Sequence, residues 1–184
     1  MRIISGKYAK RNLYTLKSQK TRPTSDKVKE SLFNSLGQFF EGGEVLDLYG
    51  GSGALAIEAV SRGCSHATII DINYQAVEII RKNVALTKEE DRFSVYKMSS
   101  NVALTKLAKD EKKFDLVFLD PPYAKQKIAS DMKKMDSLSL LTDNAVIVAE
   151  TDDETGLGEI GGFELTKTHH FGKTIVRFYR KEKR

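Results

Sequence analysis

The chain alternates continuous apolar runs with stretches of helical periodicity. The runs Glu44–Tyr49, Ala67–Asp71, Phe93–Lys97, Phe114–Asp120 and Ala145–Thr151 predict five strands. Between them, Ala54–Arg62, Tyr74–Thr87, Asn101–Lys109 and Ile128–Ser137 predict four helices. Segments such as ATII, DLVFL and AVIVA are apolar at successive positions, as strands covered on both faces are. Strand and helix following each other four times predict a parallel sheet with helices on both sides. After Glu150 the pattern changes. Phe163–His169 and Thr174–Lys181 read as strands joined by a short turn at Gly172 and Lys173. They predict a hairpin at an antiparallel edge, for seven strands in all.

The N-terminal part reads differently. Arg2–Ser5 and Leu13–Leu16 predict short strands flanking GKYAKR. Thr24 or Ser25 is suited to cap a helix, Asp26 to its first turn, and Val28, Leu32, Phe33 and Leu36 to one apolar face. No stretch is long enough to link a second full domain. The expectation is one domain over 1–184, with a basic extension at 1–24 and a core at 25–184.

Charge adds to this picture. Residues 1–30 carry nine Lys/Arg against two Asp/Glu, and 167–184 carry seven against one, while 31–166 carry fourteen against twenty-two. An acidic body with two basic ends suggests a polyanionic partner at the ends. Frayed, solvated termini are the plain alternative. Lys7, Lys10, Arg11, Lys17, Lys20 and Arg22 are the candidate phosphate contacts, which would set affinity and salt dependence rather than sequence choice. Tyr8 and Tyr14 lie among them, as stacking or as buried residues. Cys64 is a lone cysteine, so no intrachain disulfide forms, which fits a reducing compartment. MRIISGKYAKRN lacks the apolar core of a signal peptide, and no apolar run nears the ~20 residues of a membrane span. The protein is expected in the cytoplasm.

Two motifs carry chemistry. Val45-Leu46-Asp47-Leu48-Tyr49-Gly50-Gly51-Ser52-Gly53 leads from a strand into a helix. Glycines permit a sharp turn and close approach to a ligand, and the helix start offers free N–H groups. Asp71 ends the next strand, where an acid accepts from both hydroxyls of a ribose. The unit suits an adenosine-containing ligand. Gly51-x-Gly53-x-x-Ala56 also satisfies a loose dinucleotide fingerprint, and a turn without a ligand is a further alternative. Asp47 argues against a pyrophosphate, which it would repel, and for an ammonium or sulfonium. S-adenosylmethionine carries both. Asp47 is equally suited to capping the loop's own N–H groups, and the two uses are compatible.

The second motif is Asp120-Pro121-Pro122-Tyr123, where a buried strand surfaces. An ionised Asp only accepts hydrogen bonds, and the prolines have no N–H to donate. Residues before proline are held extended. The corner is therefore rigid and rich in acceptors, and its natural guest is an –NH2 group. Tyr123 adds a face for stacking a planar base or amide. Acceptors on both N–H bonds favour the pyramidal amine and stabilise the positive charge that develops as nitrogen attacks a methyl group. No His/Cys/Asp cluster has metal-ligand spacing, so no metal is expected. A simple strand terminator is the alternative reading.

Together the DLYGGSGAL loop, the IIDIN acid, the DPPY corner and the TRPTSDKVKESLFN stretch resemble the RsmD-type bacterial 16S rRNA (guanine-N2)-methyltransferases. The resemblance covers nearly the whole chain, and the N-terminal RIISG…TRPT…LFN pattern selects this family among amino-methyltransferases. It implies an α/β, Rossmann-like class I methyltransferase fold with S-adenosylmethionine as cofactor. It implies a guanine amine of 16S rRNA as acceptor, within an assembled or assembling small ribosomal subunit, and an enzyme acting as a monomer. By position, Asp47, Gly51 and Gly53 would meet the methionine end of the cofactor, and Tyr49 would be a further cofactor contact. Asp71 would hold the ribose and Ile72 would lie against adenine. Asp120, Pro121, Pro122 and Tyr123 would hold the target base. Arg22, Pro23 and Thr24 would close over the cofactor and meet the RNA.

Two departures stand out. Tyr49-Gly50 replaces the family's usual Phe-Ala, a change expected to be tolerated. After the third strand, Lys97-Met98-Ser99-Ser100-Asn101 lacks the usual acid, leaving Ser99 or Asn101 to accept from the adenine amine. Competing readings are a DNA adenine or cytosine amino-methyltransferase, a protein glutamine methyltransferase, an NAD-dependent dehydrogenase and a non-catalytic nucleotide-binding RNA chaperone. The first lacks room for a target-recognition region, and the second usually opens its motif with Asn rather than Asp120.

Overall fold

The computed structural model describes residues 1–16, 25–122, 124–152 and 156–182. Its strands are β1 (Glu44–Asp47), β2 (His66–Asp71), β3 (Phe93–Lys97), β4 (Phe114–Leu119), β5 (Leu141–Asp152), β6 (Phe163–Phe171) and β7 (Thr174–Lys181). Its helices are α1 (Asp26–Leu36), α2 (Ala54–Ser61), α3 (Tyr74–Leu86), α4 (Ser100–Lys109) and α5 (Ala124–Ser137). The strands form one sheet in the order β3-β2-β1-β4-β5-β7-β6. All neighbours from β3 to β5 are parallel, while β7 is antiparallel to both β5 and β6. The chain winds outward from β1 to β3, then returns to place β4 on the other side of β1. Such a reversal opens a crevice at the carboxyl ends of the two central strands.

Strand alternation assigns the core. Val45, Phe118, Val148 and Val176 share one face with α1, α2 and α3, and Leu46, Val117, Ile147 and Tyr179 share the other with α4 and α5. Because side chains repeat every two residues, Asp47, Asp120 and Glu150 continue the first face beyond Val45, Phe118 and Val148. The same two-residue step that builds the core thus brings three carboxylates to one side of the crevice.

Most boundaries fall within two residues of expectation, and three elements differ by more. β5 begins at Leu141 rather than Ala145, because exposed Asp143 and Asn144 and a register shift between Phe114 and Leu116 break the apolar run without ending the pairing. α5 begins at Ala124, ahead of the apolar periodicity that starts at Ile128. The two N-terminal strands reduce to one bridge, Arg2 with Asn12. Ile4 and Ser5 donate their backbone N–H groups to Glu58 instead, at 2.9 and 3.1 Å. Fully buried Glu58 also pairs with Lys29 at 3.2 Å and Arg62 at 2.8 Å, and Lys29 Nζ donates to the Arg2 carbonyl at 2.6 Å. Desolvation lowers the Lys29 pKa, partly offset by Glu58. One carboxylate thereby fastens the N-terminal segment and α1 to α2.

Candidate active site

The site assembles at the carboxyl ends of β1, β2, β4 and β5. β1 stops at Asp47, and Gly50 donates its N–H to the Ile70 carbonyl at 2.7 Å, which folds the loop across β2. A Cβ on Gly50 would stand 2.5 Å from the Ile69 side chain and 3.0 Å from Ile80. The glycine that replaces the family's alanine is therefore packed tight, with its space taken by two isoleucines. Gly51 has φ 61°, and nothing lies within 4 Å of where its Cβ would be. The loop is closed underneath and open above. Gly53 caps α2 in a left-handed conformation with no side-chain cap, so the first N–H groups of α2 are left to the loop and its guest.

Asp47 is 3% exposed. Burial raises its pKa to about 7, a backbone N–H of Tyr49 opposes the rise, and Asp71 and Glu150 add to it. Asp47 thus accepts from a backbone N–H of its own loop, the capping use expected of it. Asp71 Oδ1 accepts from Asn73 N–H at 2.8 Å, and Ile72 beyond it is two-thirds exposed, unusual for an isoleucine. Ser99 Oγ caps α4 by accepting from Val102 N–H at 3.2 Å. Asn101, the alternative acceptor, is bonded to Lys134 through both its carbonyl oxygens.

At the end of β4, Pro121 is buried while Asp120 and Pro122 are open to solvent. Protein atoms crowd the Asp120 carboxyl and, with like charge from Glu150 and then Asp47, raise its pKa well above the usual carboxylate range. Since solvent still reaches Asp120, water moderates the first effect, and the neighbouring carboxylates are the firmer cause. Tyr123, Arg22, Pro23, Thr24, Lys17 and Lys20 lie outside the described residues.

Tyr49 packs with the α4–α5 side of the core, and its hydroxyl donates to Asp131 on α5. Burial raises the pKa of both partners, and the bond ties the glycine loop to the helix that follows the DPPY corner. The basic residues are grouped elsewhere. Lys7 pairs with Glu89 at 2.7 Å, and the Arg11 guanidinium lies over the Tyr8 ring. Buried Tyr8 donates to Glu89 at 2.7 Å, and Lys7 leads the contacts that hold the Glu89 pKa down at about 2. Glu89 precedes β3, so this group sits toward the opposite end of the sheet from the glycine loop. Lys10 is exposed, with φ 72°. Tyr14, half exposed, returns to the site: fully buried Asn83 accepts from its N–H at 2.8 Å and donates to its carbonyl at 2.9 Å and to Ser52 O at 2.8 Å. Cys64 is buried and its thiol pKa is pushed up to about 12, chiefly by desolvation, as an inert packing residue requires.

Sequence reading missed Glu150, Asn83 and Asp131. A signal for Glu150 was present: like Asp47, Asp71 and Asp120, it is an acid at the carboxyl end of a buried run. Asn83 and Asp131 sit inside amphipathic helices, where nothing local separates a buried polar residue from an exposed one.

A family model described as "Conserved hypothetical protein 95" matches residues 1–180. The chain belongs to this family. It is 40% identical over 182 residues to "Putative rRNA methyltransferase YlbH" of Bacillus subtilis, spanning 98% of this chain and 99% of that protein. It is 31% identical over 183 residues to "Ribosomal RNA small subunit methyltransferase D" of Escherichia coli, spanning 99% of this chain and 90% of that protein. Among solved structures, "Putative methyltransferase yhhF from Escherichia coli" superposes with a TM-score of 0.86 at 29% identity over 100% of this chain and 99% of that one. A conserved hypothetical protein of Streptococcus pyogenes is 42% identical with a TM-score of 0.79, covering 84% of this chain and 96% of that one. The family is the one that the TRPTSDKVKESLFN stretch and the DPPY corner pointed to, and the fold is the α/β, Rossmann-like class I methyltransferase fold.

Proposed function

We propose that this protein transfers a methyl group from S-adenosylmethionine to the exocyclic N2 amine of a guanine in 16S ribosomal RNA. The observation that carries the reading is the pairing of a buried carboxylate, Asp47, under an open glycine loop with the acceptor-rich Asp120-Pro121-Pro122 corner on the adjacent strand. The names of the family's relatives support methyl transfer to ribosomal RNA. The corner suits an exocyclic amine, and guanine N2 rests on the resemblance that the N-terminal RIISG…TRPT…LFN pattern carries.

The residues present fit the cofactor. Asp47 offers the charge that an ammonium or sulfonium needs, the position above Gly51 is open, and Asp71 and Ile72 offer a ribose acceptor and an apolar face. When bound, S-adenosylmethionine supplies an electrophilic methyl group. The chain then has three tasks. The loop and Asp71 fix the donor's position, which alone removes much of the barrier to an in-line attack. Asp120 and the Pro121 carbonyl accept from the amine and hold its lone pair toward the methyl group. The carboxylates stabilise positive charge as it grows on nitrogen. The reading places the protein in the cytoplasm as a monomer, working on the small ribosomal subunit or an assembly intermediate, with Lys10 and Arg11 on RNA phosphates.

Two measurements test it together. Calorimetry should show S-adenosylhomocysteine binding and no NAD binding, and methyl-labelled donor should transfer label to small subunits from a strain lacking the gene. NAD binding without S-adenosylhomocysteine binding would remove the reading.

A further inference from the structure

We propose that Tyr14 is a stacking station for an unpaired base of the RNA, with Lys82 beside it for a phosphate. The inference rests on the reading of the protein as an enzyme of ribosomal RNA. Its ground is the way one buried side chain places an exposed ring. Asn83 on α3 is 0% exposed. Its Oδ1 accepts from the Tyr14 N–H at 2.8 Å, and its Nδ2 donates to the Tyr14 carbonyl at 2.9 Å. The same Nδ2 donates to the carbonyl of Ser52 in the glycine loop at 2.8 Å. One amide group thus gives the Tyr14 backbone both of its partners and joins it to the rim of the crevice. The Tyr14 side chain takes no part in this clamp and stays 54% exposed. Tyr8 shows the contrast, since its ring is buried and its hydroxyl donates to Glu89.

The surroundings of the ring match a nucleotide. Lys82 Nζ lies 5.9 Å from the Tyr14 ring centroid, and both Lys82 and Arg81 are exposed. Glu78, the acid one turn before Lys82, is engaged by the Tyr74 hydroxyl at 2.8 Å. Among the described residues, Tyr14, Ile72, Tyr74 and Val102 are exposed apolar side chains around the carboxyl ends of the strands, with Phe39 elsewhere. Aromatic rings set among cations suit a single strand: the base stacks and the phosphate meets the ammonium. A base inside an A-form helix already has its neighbours stacked on it, so a lone ring selects an unpaired one. Because Asn83 fixes the Tyr14 backbone before RNA arrives, stacking orders little more than the ring itself. Arg22-Pro23-Thr24, which the family resemblance brings to the RNA, follows Tyr14 in the chain. A nucleotide held at Tyr14 would lie on the glycine-loop side of the crevice, while the DPPY corner takes the target base.

The test compares the full-length protein with Tyr14→Ala, Tyr14→Phe and Lys82→Gln. Small ribosomal subunits from a strain lacking the gene are the probe, and binding is read across a salt series. Tyr14→Ala is expected to weaken binding roughly tenfold or more with an unchanged salt slope, because stacking releases no counterions. Tyr14→Phe should bind within about twofold of the unsubstituted protein, since the ring is kept. Lys82→Gln should lower the salt slope by about one. Melting temperature and S-adenosylhomocysteine affinity should not move in Tyr14→Ala, since Asn83 holds only the backbone at that position. Equal binding by Tyr14→Ala, or a Tyr14→Phe variant as weak as Tyr14→Ala, would overturn the proposal. A parallel loss of S-adenosylhomocysteine affinity would overturn it too, by giving the ring to the cofactor. A photo-cross-linking p-benzoylphenylalanine in place of Tyr14 then names the partner: attachment to RNA is expected, and attachment to a ribosomal protein alone, or to nothing, would contradict the station. The functional reading fails separately: if the unsubstituted protein labels no RNA while the ring-dependent binding and the RNA cross-link remain, the station stands and methyl transfer to RNA does not.

Discussion

Asp71 Oδ2 accepts the backbone N–H of Gly51 at 2.9 Å. The acid proposed to hold a ribose therefore also fixes the glycine loop. Asp71→Ala is expected to weaken S-adenosylhomocysteine binding roughly 10²-fold, beyond one lost hydrogen bond, because Gly51 and Asn73 N–H groups lose their acceptor too. Calorimetry checks this, and a loss under fivefold would separate the loop from the ribose contact.

Asp47 makes a pH prediction whose sign is fixed by its environment. Its carboxyl titrates at about 7 in the folded chain against an ordinary 3.8. The folded state binds that proton more tightly, so the group's stabilising contribution is fully present below pH ~4 and is lost as pH rises to about 7. A ligand ammonium placed against the carboxylate reverses the preference. S-adenosylhomocysteine affinity should rise between pH 6 and 8 with proton release on binding. Asp47→Asn should abolish that dependence and stabilise the ligand-free protein at pH 8. Both are read by calorimetry and thermal melts in buffers of different ionisation enthalpy.

The contrast between Asp47 and Glu58 shows what the sequence made legible. Asp47 is flanked by a buried strand and glycines, so its placement and chemistry follow from local pattern. Glu58 sits in ALAIEAVS, where the same letter would serve on a solvated face, and its burial depends on Lys29, Arg62 and the N-terminal backbone arriving from distant parts of the chain. The sheet was legible because buried parallel strands announce themselves by continuous apolarity. β5 was read short because Asp143 and Asn144 are exposed within it, and α5 was read late because Ala124–Lys127 has no apolar repeat. Tyr8 was ambiguous in sequence, and its burial is explained by Glu89, eighty-one residues away.

Removing Glu58 should be costly. Glu58→Ala leaves Lys29 and Arg62 buried without their shared carboxylate and frees the N–H groups of Ile4 and Ser5. The expected loss is about 3–5 kcal/mol, read as a melting temperature lower by roughly 10 °C. Residues 1–13 should then exchange their amide hydrogens faster than the sheet. A change under about 1 kcal/mol would show that the cluster does not anchor the segment.

The basic residues differ in what they have left to give. Lys7 is engaged with Glu89, whereas Lys10 is exposed and Arg11 stacks on Tyr8 and contacts the Lys7 carbonyl. Neutralising Lys10 and Arg11 together should weaken RNA binding and lower the salt slope by about two, and neutralising Lys7 should do less. Filter binding across a salt series measures both, and an unchanged slope would return these charges to solvation.

The role proposed for Asp120 and its prolines is to activate an amine. Its most direct test is the identity of the modified nucleoside when small subunits lacking the modification are labelled with methyl-labelled S-adenosylmethionine by the unsubstituted protein and by Asp120→Ala. The account predicts label in N2-methylguanosine, with transfer slowed roughly 10²–10³-fold by the substitution and cofactor affinity kept within a few-fold. Label in a nucleoside methylated on carbon or on a sugar hydroxyl, or a near-normal rate in Asp120→Ala, would contradict it.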